Sequence, residues 1–213
     1  MKTTSILLLC ATSLLGQEAP PADSPTIPKL ADANEEIVKL VAQEQWERGG
    51  DMFGGRSLSV AALAEIKTMD IWKNDADRRK KVSQLLATGK IQSARDYFFA
   101  ALIFQHGDKS QDYMVSHMLA VTAVAKGQGA SSKWLAAASI DRYLWSLQQP
   151  QMFGTQFKTP TGAPPTMEPF DRSAISDAIR EVWCVISIAE QEQVLKDAQA
   201  GKPLRGTSRH QCR

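Results

Sequence analysis

Trp134-Leu135-Ala136-Ala137-Ala138-Ser139-Ile140-Asp141-Arg142-Tyr143-Leu144-Trp145-Ser146-Leu147 is apolar on nearly every side, and its only ionisable side chains are Asp141, Arg142 and Tyr143. A helix with so little polar surface belongs inside a protein, where an ionised group is costly unless paired or used. Asp141 shares a stripe with Trp134, Ala138 and Trp145, whereas Arg142 shares the neighbouring stripe with Leu135 and Ala138. Adjacent helical residues diverge by about 100°, so the two charges are expected to face different partners.

Two further stretches repeat the pattern. Residues 97–104 end in Gln105-His106, and residues 113–125 carry Ser116-His117. Helix punctuation lies between them. Ser93 starts one segment and Gly107 closes it; Asp108 or Ser110 starts the next and Gly127 closes it; Ser131 starts the third, which Pro150 ends. Upstream, Ile37, Leu40, Val41 and Trp46 recur at helical spacing before Gly49-Gly50. Residues 58–72 form a second helix with Val60, Leu63, Ile66 and Met69 as its stripe, and Asp75 or Asp77 caps a third ending at Gly89. Residues 171–200 form a last helix with Ile175, Ile179, Val182 and Ile186 inward. No segment alternates with β-branched enrichment. The expected fold class is all-α, with about seven helices in a compact bundle or a short helical-hairpin array. A long Pro-rich loop, 150–170, interrupts it; loops of that length are usually functional or mobile.

The ends read differently. Lys2, the apolar run 6–15 and Gly16 have the form of a signal peptide over 1–16, which predicts a secreted or periplasmic protein. About ten apolar residues cannot span ~30 Å of hydrocarbon, so no integral membrane segment is expected after cleavage. Residues 17–30, with four prolines, read as an extended linker, 31–200 as the helical domain and 201–213 as a flexible basic tail. Beyond Cys10, only Cys184 and Cys212 remain. Cys184 sits in an apolar run and reads as a buried free thiol, with a bridge to Cys212 as the alternative that export permits. The net charge of +2 is too balanced for a nucleic-acid partner, and Arg78-Arg79-Lys80-Lys81 reads as a solvated helix face.

The polar interruptions, with Gln151 and Gly154-Thr155-Gln156 after the third helix, are the residues from which a site can be built. His106 and Arg142 are the expected catalytic pair if the protein is an enzyme: His106 as general acid/base, Arg142 as stabiliser of negative charge. Gln105, His117, Asp141, Gln151, Thr155 and Gln156 are the expected ligand-binding residues, with Asp141 orienting a histidine. Each has a bland counterpart: a core ion pair, a helix-end cap, a satisfied buried histidine, or a tether for the loop. No His-x-x-x-His spacing fixes two ligands on one helix, so neither metal nor cofactor is expected.

At these residues the chain resembles an uncharacterised bacterial domain family that carries a Gln-His pair, a later Asp-Arg pair and a Gln-x-Tyr-Gly-Thr-Gln segment. The matching positions are Gln105-His106, Asp141-Arg142, and Gln151 with Phe153-Gly154-Thr155-Gln156, Phe153 standing where the family usually has tyrosine. The likeness spans roughly residues 75–184. It implies a shared polar site without naming its chemistry. The expected function is binding of a small polar ligand or peptide end. The alternatives are a hydrolase or group-transfer enzyme using His106 and Arg142, and a Sel1-like interaction scaffold.

Overall fold

The computed structural model describes residues 22–203, 206–208 and 212; the signal segment and the first part of the linker lie outside them. Eight helices follow in order: α1 (Glu35–Glu47), α2 (Val60–Ile66), α3 (Ile71–Ala87), α4 (Ala94–Gln105), α5 (Ser110–Ala125), α6 (Ala130–Ser146), α7 (Asp177–Val182) and α8 (Ile188–Gln199). The described residues contain isolated β-bridges but no strand. The protein is all-α.

The three apolar stretches form the centre. Ser93 and Asp96 make a reciprocal capping box that starts α4. Four-residue links then fold α4, α5 and α6 back on one another, with α5 packed against both neighbours. Ala100, Ala101, Ala120, Ala123 and Ala136 are wholly buried between them, so the backbones approach closely. Phe98, Phe99, Ile103 and Phe104 fill the space toward α1 and α3, which pack on α4 through Ile37, Val41, Val82 and Leu85. The serine interruption is satisfied locally, because Ser116 Oγ donates to Ala101 O at 2.8 Å.

Four sequence expectations change. Residues 58–72 are not one helix: Asp70 accepts a hydrogen bond from Lys73 N and starts α3 afresh. The short α2 buries Ala62 and Ile66 and leaves Val60 and Leu63 exposed. Residues 171–200 also divide. Ser176 caps α7, Cys184 takes a φ of +57°, and a Ser187–Glu190 capping box starts α8. The expected inward stripe is accordingly wrong; Ile179 and Val182 are 46% and 52% exposed, while Arg180 and Gln191 are wholly buried. Cys184 is not a free thiol but is bonded to Cys212, their Cα atoms 5.2 Å apart. Arg78 is buried between Asp75 and Glu47, Arg79 pairs with Asp108 and Asp112, and Lys81 pairs with Glu36, so three of the four residues of the basic run have carboxylate partners.

The described ends are tied to the body. Ala22 is buried beside Trp46 and Leu58, its N–H donating to Ser57 O, and Thr26 donates twice to Asp51. At the other end, Thr207 is buried, accepts from Trp134 Nε1 and, through its carbonyl, from Ile186 N. Among the described residues, no helix is long and apolar enough to cross a membrane.

Candidate functional site

One wall of a polar cavity comes from α1. Glu44 and Arg48 stand one turn apart, and Glu44 is wholly buried. Its Oε1 lies 2.8 Å from Arg48 Nη1 and 2.5 Å from His106 Nδ1. Gln45 Nε2 donates to the other oxygen. Arg48 reaches on with Nη2 to Asp75 Oδ2 at 2.7 Å, and Arg78 donates to both Asp75 Oδ1 and Glu47 Oε2. Burial alone would raise the Asp75 carboxyl, but the Arg48 and Arg78 guanidiniums hold it below the ordinary carboxylate value.

His106 is the C-cap residue of α4, yet its ring does not cap that helix. The chain turns there because Arg79 Nη1 donates to His106 O at 3.0 Å and Tyr113 donates to Gly107 O at 2.9 Å. The ring stands toward Glu44, its Nδ1 2.5 Å from Oε1 with neither atom in hydrogen-bonding geometry, and lines the cavity. The carboxylate that stands beside a histidine is Glu44; Asp141, expected to orient one, is bonded to the loop after α6.

Arg142 forms the opposite side. Nη1 donates to Gln105 O at 2.6 Å, Nε donates to Gln156 Oε1 at 3.1 Å, and the guanidinium lies 5.9 Å from the Tyr113 ring centroid. These partners are a carbonyl, an amide and a ring. Among the described residues no carboxylate pairs with Arg142. Burial lowers its pKa, Tyr113 works against that and the nearby Arg48 adds to it.

Behind Arg142 stands the loop after α6, and its shape is imposed by charges outside it. Asp141, wholly buried, accepts from Met152 N and Phe153 N on Oδ1, and from Thr155 N and Oγ1 on Oδ2, all at 2.8–2.9 Å. Burial pushes this carboxyl above its ordinary value against the pull of those four donors. The loop carbonyls face the other way: Arg180 Nη1 donates to Phe153 O at 2.7 Å, and Gln191 Nε2 donates to Phe153 O and Gly154 O. Gln151 closes the turn, its amide donating to Gln156 O and Met167 O while Oε1 accepts from Gln156 N. Gly154 has a φ of +66°, and a Cβ there would meet the Phe170 ring at 2.8 Å, so only glycine fits.

The cavity between these walls holds about 500 Å³ and takes in Arg48, Asp75, His106, Arg142 and Gln156, rimmed by Trp72 and Trp145. Of the residues expected from sequence, Gln105, His106, Arg142 and Gln156 line it together. Asp141, Gln151 and Thr155 do not; they hold the loop that presents Gln156. His117 is elsewhere. Its Nδ1 lies 2.8 Å from Ala136 O, and its ring lines a separate apolar cavity of about 210 Å³ with Phe153 and Trp183.

Glu44, Arg48, Asp75 and Tyr113 were missed. A signal existed for the first two. Ile37, Val41, Glu44 and Arg48 share one face of α1, so a carboxylate and a guanidinium interrupt its buried stripe. Asp75 carried no such mark, because its helix was expected to start at or beyond it. No family model matches the chain, and no curated protein or solved structure matches it either.

Proposed function

We propose that this is an exported helical domain whose cavity binds a small polar ligand through a single negative charge, such as the carboxylate of a peptide end. The observation that carries the reading is the half-buried Arg142 guanidinium, oriented by Gln105 O and Gln156 and lacking a carboxylate partner among the described residues. A buried cation left without a counter-charge is costly, and a bound carboxylate would supply the missing partner in bidentate form. Arg48 is already committed to Glu44 and Asp75, which limits the demand to one charge. The resemblance in the Gln-His, Asp-Arg and Gly-Thr-Gln motifs supports the same location. Export is supported by the Cys184–Cys212 disulfide, a bond that persists in oxidising compartments.

The test is calorimetric titration of small carboxylic acids and free-ended dipeptides against their uncharged amides, with Arg142→Ala as the control. The acids should bind more tightly than the amides, and the variant should lose that preference. Equal affinity for acid and amide refutes the proposal.

A second reading rests on Glu44 behind His106. A buried carboxylate beside Nδ1 of a histidine whose ring lines a cavity suits a general acid/base, here for a hydrolase or group-transfer enzyme. If that reading holds, His106→Ala abolishes turnover of a cavity ligand at unchanged melting temperature. A variant that turns over ligand normally removes it.

A further inference from the structure

The rim of the cavity differs in kind from its floor. Trp72 lies in the first turn of α3 with 74% of its surface exposed, although it borders the cavity. Among the described residues no ring or cation stacks on it. Trp145, also on the rim, has Lys158 Nζ 5.2 Å from its ring centroid. A large flat apolar surface standing in water at the mouth of a charged cavity is suited to a ligand that has a flat apolar face of its own.

The polar lining narrows the class. Donors and acceptors are mixed: the Arg142 guanidinium and the His106 ring stand with the Ser146 hydroxyl and the Gln105 amide, while both Asp75 oxygens are taken by Arg48 and Arg78. A hydroxyl both donates and accepts, so a polyol ring can satisfy such a mixed wall from any of its positions. A phosphate ester would bring about two charges to a site with one unpaired guanidinium. A simple aromatic acid would leave the acceptors unmatched.

Resting on the anion-binding reading above, we infer that the ligand is an acidic sugar, a pyranose bearing one carboxylate. The carboxylate meets Arg142, the ring hydroxyls meet the mixed lining, and one ring face lies on Trp72. The cavity of about 500 Å³ has the size of a small-molecule site.

The experiment is titration of the full protein with glucuronate, glucose, the open-chain acid gluconate and a nucleoside monophosphate, by calorimetry and tryptophan fluorescence. Trp72→Ala is the stacking variant, since so exposed a side chain leaves the fold intact, and Arg142→Ala is the charge variant. Glucuronate should bind best, Trp72→Ala should weaken it about tenfold, and Arg142→Ala should bring glucuronate down to the level of glucose. If gluconate or the nucleotide binds as well as glucuronate, or Trp72→Ala changes nothing, the sugar assignment falls while the anion reading stands. If glucose equals glucuronate on the unaltered protein, the anion reading falls, and the sugar assignment with it.

Discussion

Removing the Asp141 carboxylate tests whether the loop after α6 is held from outside. Asp141→Ala leaves three backbone N–H groups and one hydroxyl without their acceptor, and three of the four bonds are fully buried. An orphaned buried donor costs roughly 1–3 kcal/mol, so the four together could cost ~4–12 kcal/mol. Water entering the vacated space recovers part of this, and we expect a loss near the low end, ~4 kcal/mol. Against a total stability of about 5–15 kcal/mol, that is a large fraction. The melting temperature should fall by roughly 8–16 °C in a domain of this size. Asp141→Asn keeps one acceptor oxygen but turns an amide NH2 toward the remaining donors, so its loss should be about half as large. Urea unfolding followed by circular dichroism measures both, with hydrogen exchange at Met152, Phe153 and Thr155 reporting the loop itself. A loss under about 1 kcal/mol for Asp141→Ala, with the denaturant slope unchanged, would refute the reasoning.

Other expectations follow from neighbouring contacts. Asp75 is held below its ordinary value in the fold, so its contribution is present above the unfolded carboxylate value of ~3.9 and is lost as pH falls through the folded one. Asp75→Asn should therefore be less stable at neutral pH and should show a shallower decline on acidification below about pH 4; parallel acid-unfolding curves for the two proteins would count against the ion network. Gly154→Ala combines a positive φ with a collision against Phe170, and should lower the melting temperature by several degrees and broaden amide signals at residues 153–156. Reducing the Cys184–Cys212 bond, which joins residues 28 apart, should cost about 3–4 kcal/mol through the freed unfolded chain; equal urea midpoints with and without reductant would contradict this.

The centre of the fold was legible because its signals are local. Ser93, Gly107, Gly127 and Pro150 mark where α4, α5 and α6 begin or end, and the alanines between them show where backbones can meet. The broken helices were not, because the helical spacing of Val60, Leu63, Ile66 and Met69 runs on to the first break and Val182 to Ile186 stays apolar across the second, while Asp70 and Ser187 redirect the chain through single side-chain caps. Half of the cavity was legible for the same reason as the fold: His106 and Arg142 stand out against apolar surroundings. Glu44 lies 62 positions from His106, and Arg48 lies 27 from Asp75. Nothing local tells that such distant charges meet. Arg180 illustrates the limit most sharply, since its wholly buried guanidinium has the loop carbonyls as partners and reads in sequence as a surface residue.

The way the loop at residues 151–156 is gripped has a bearing on engineering. Its amides are read by Asp141 and its carbonyls by Arg180 and Gln191, so part of the instruction for its shape is written on three helices, beside what Gln151 and Gly154 supply from within. Transplanting that hexapeptide into another scaffold would carry the letters without the conformation. Conversely, Met152 and Phe153 make these contacts through their main chain while their side chains line the separate apolar cavity beside His117, so a reporter group of similar bulk placed there would sense that cavity.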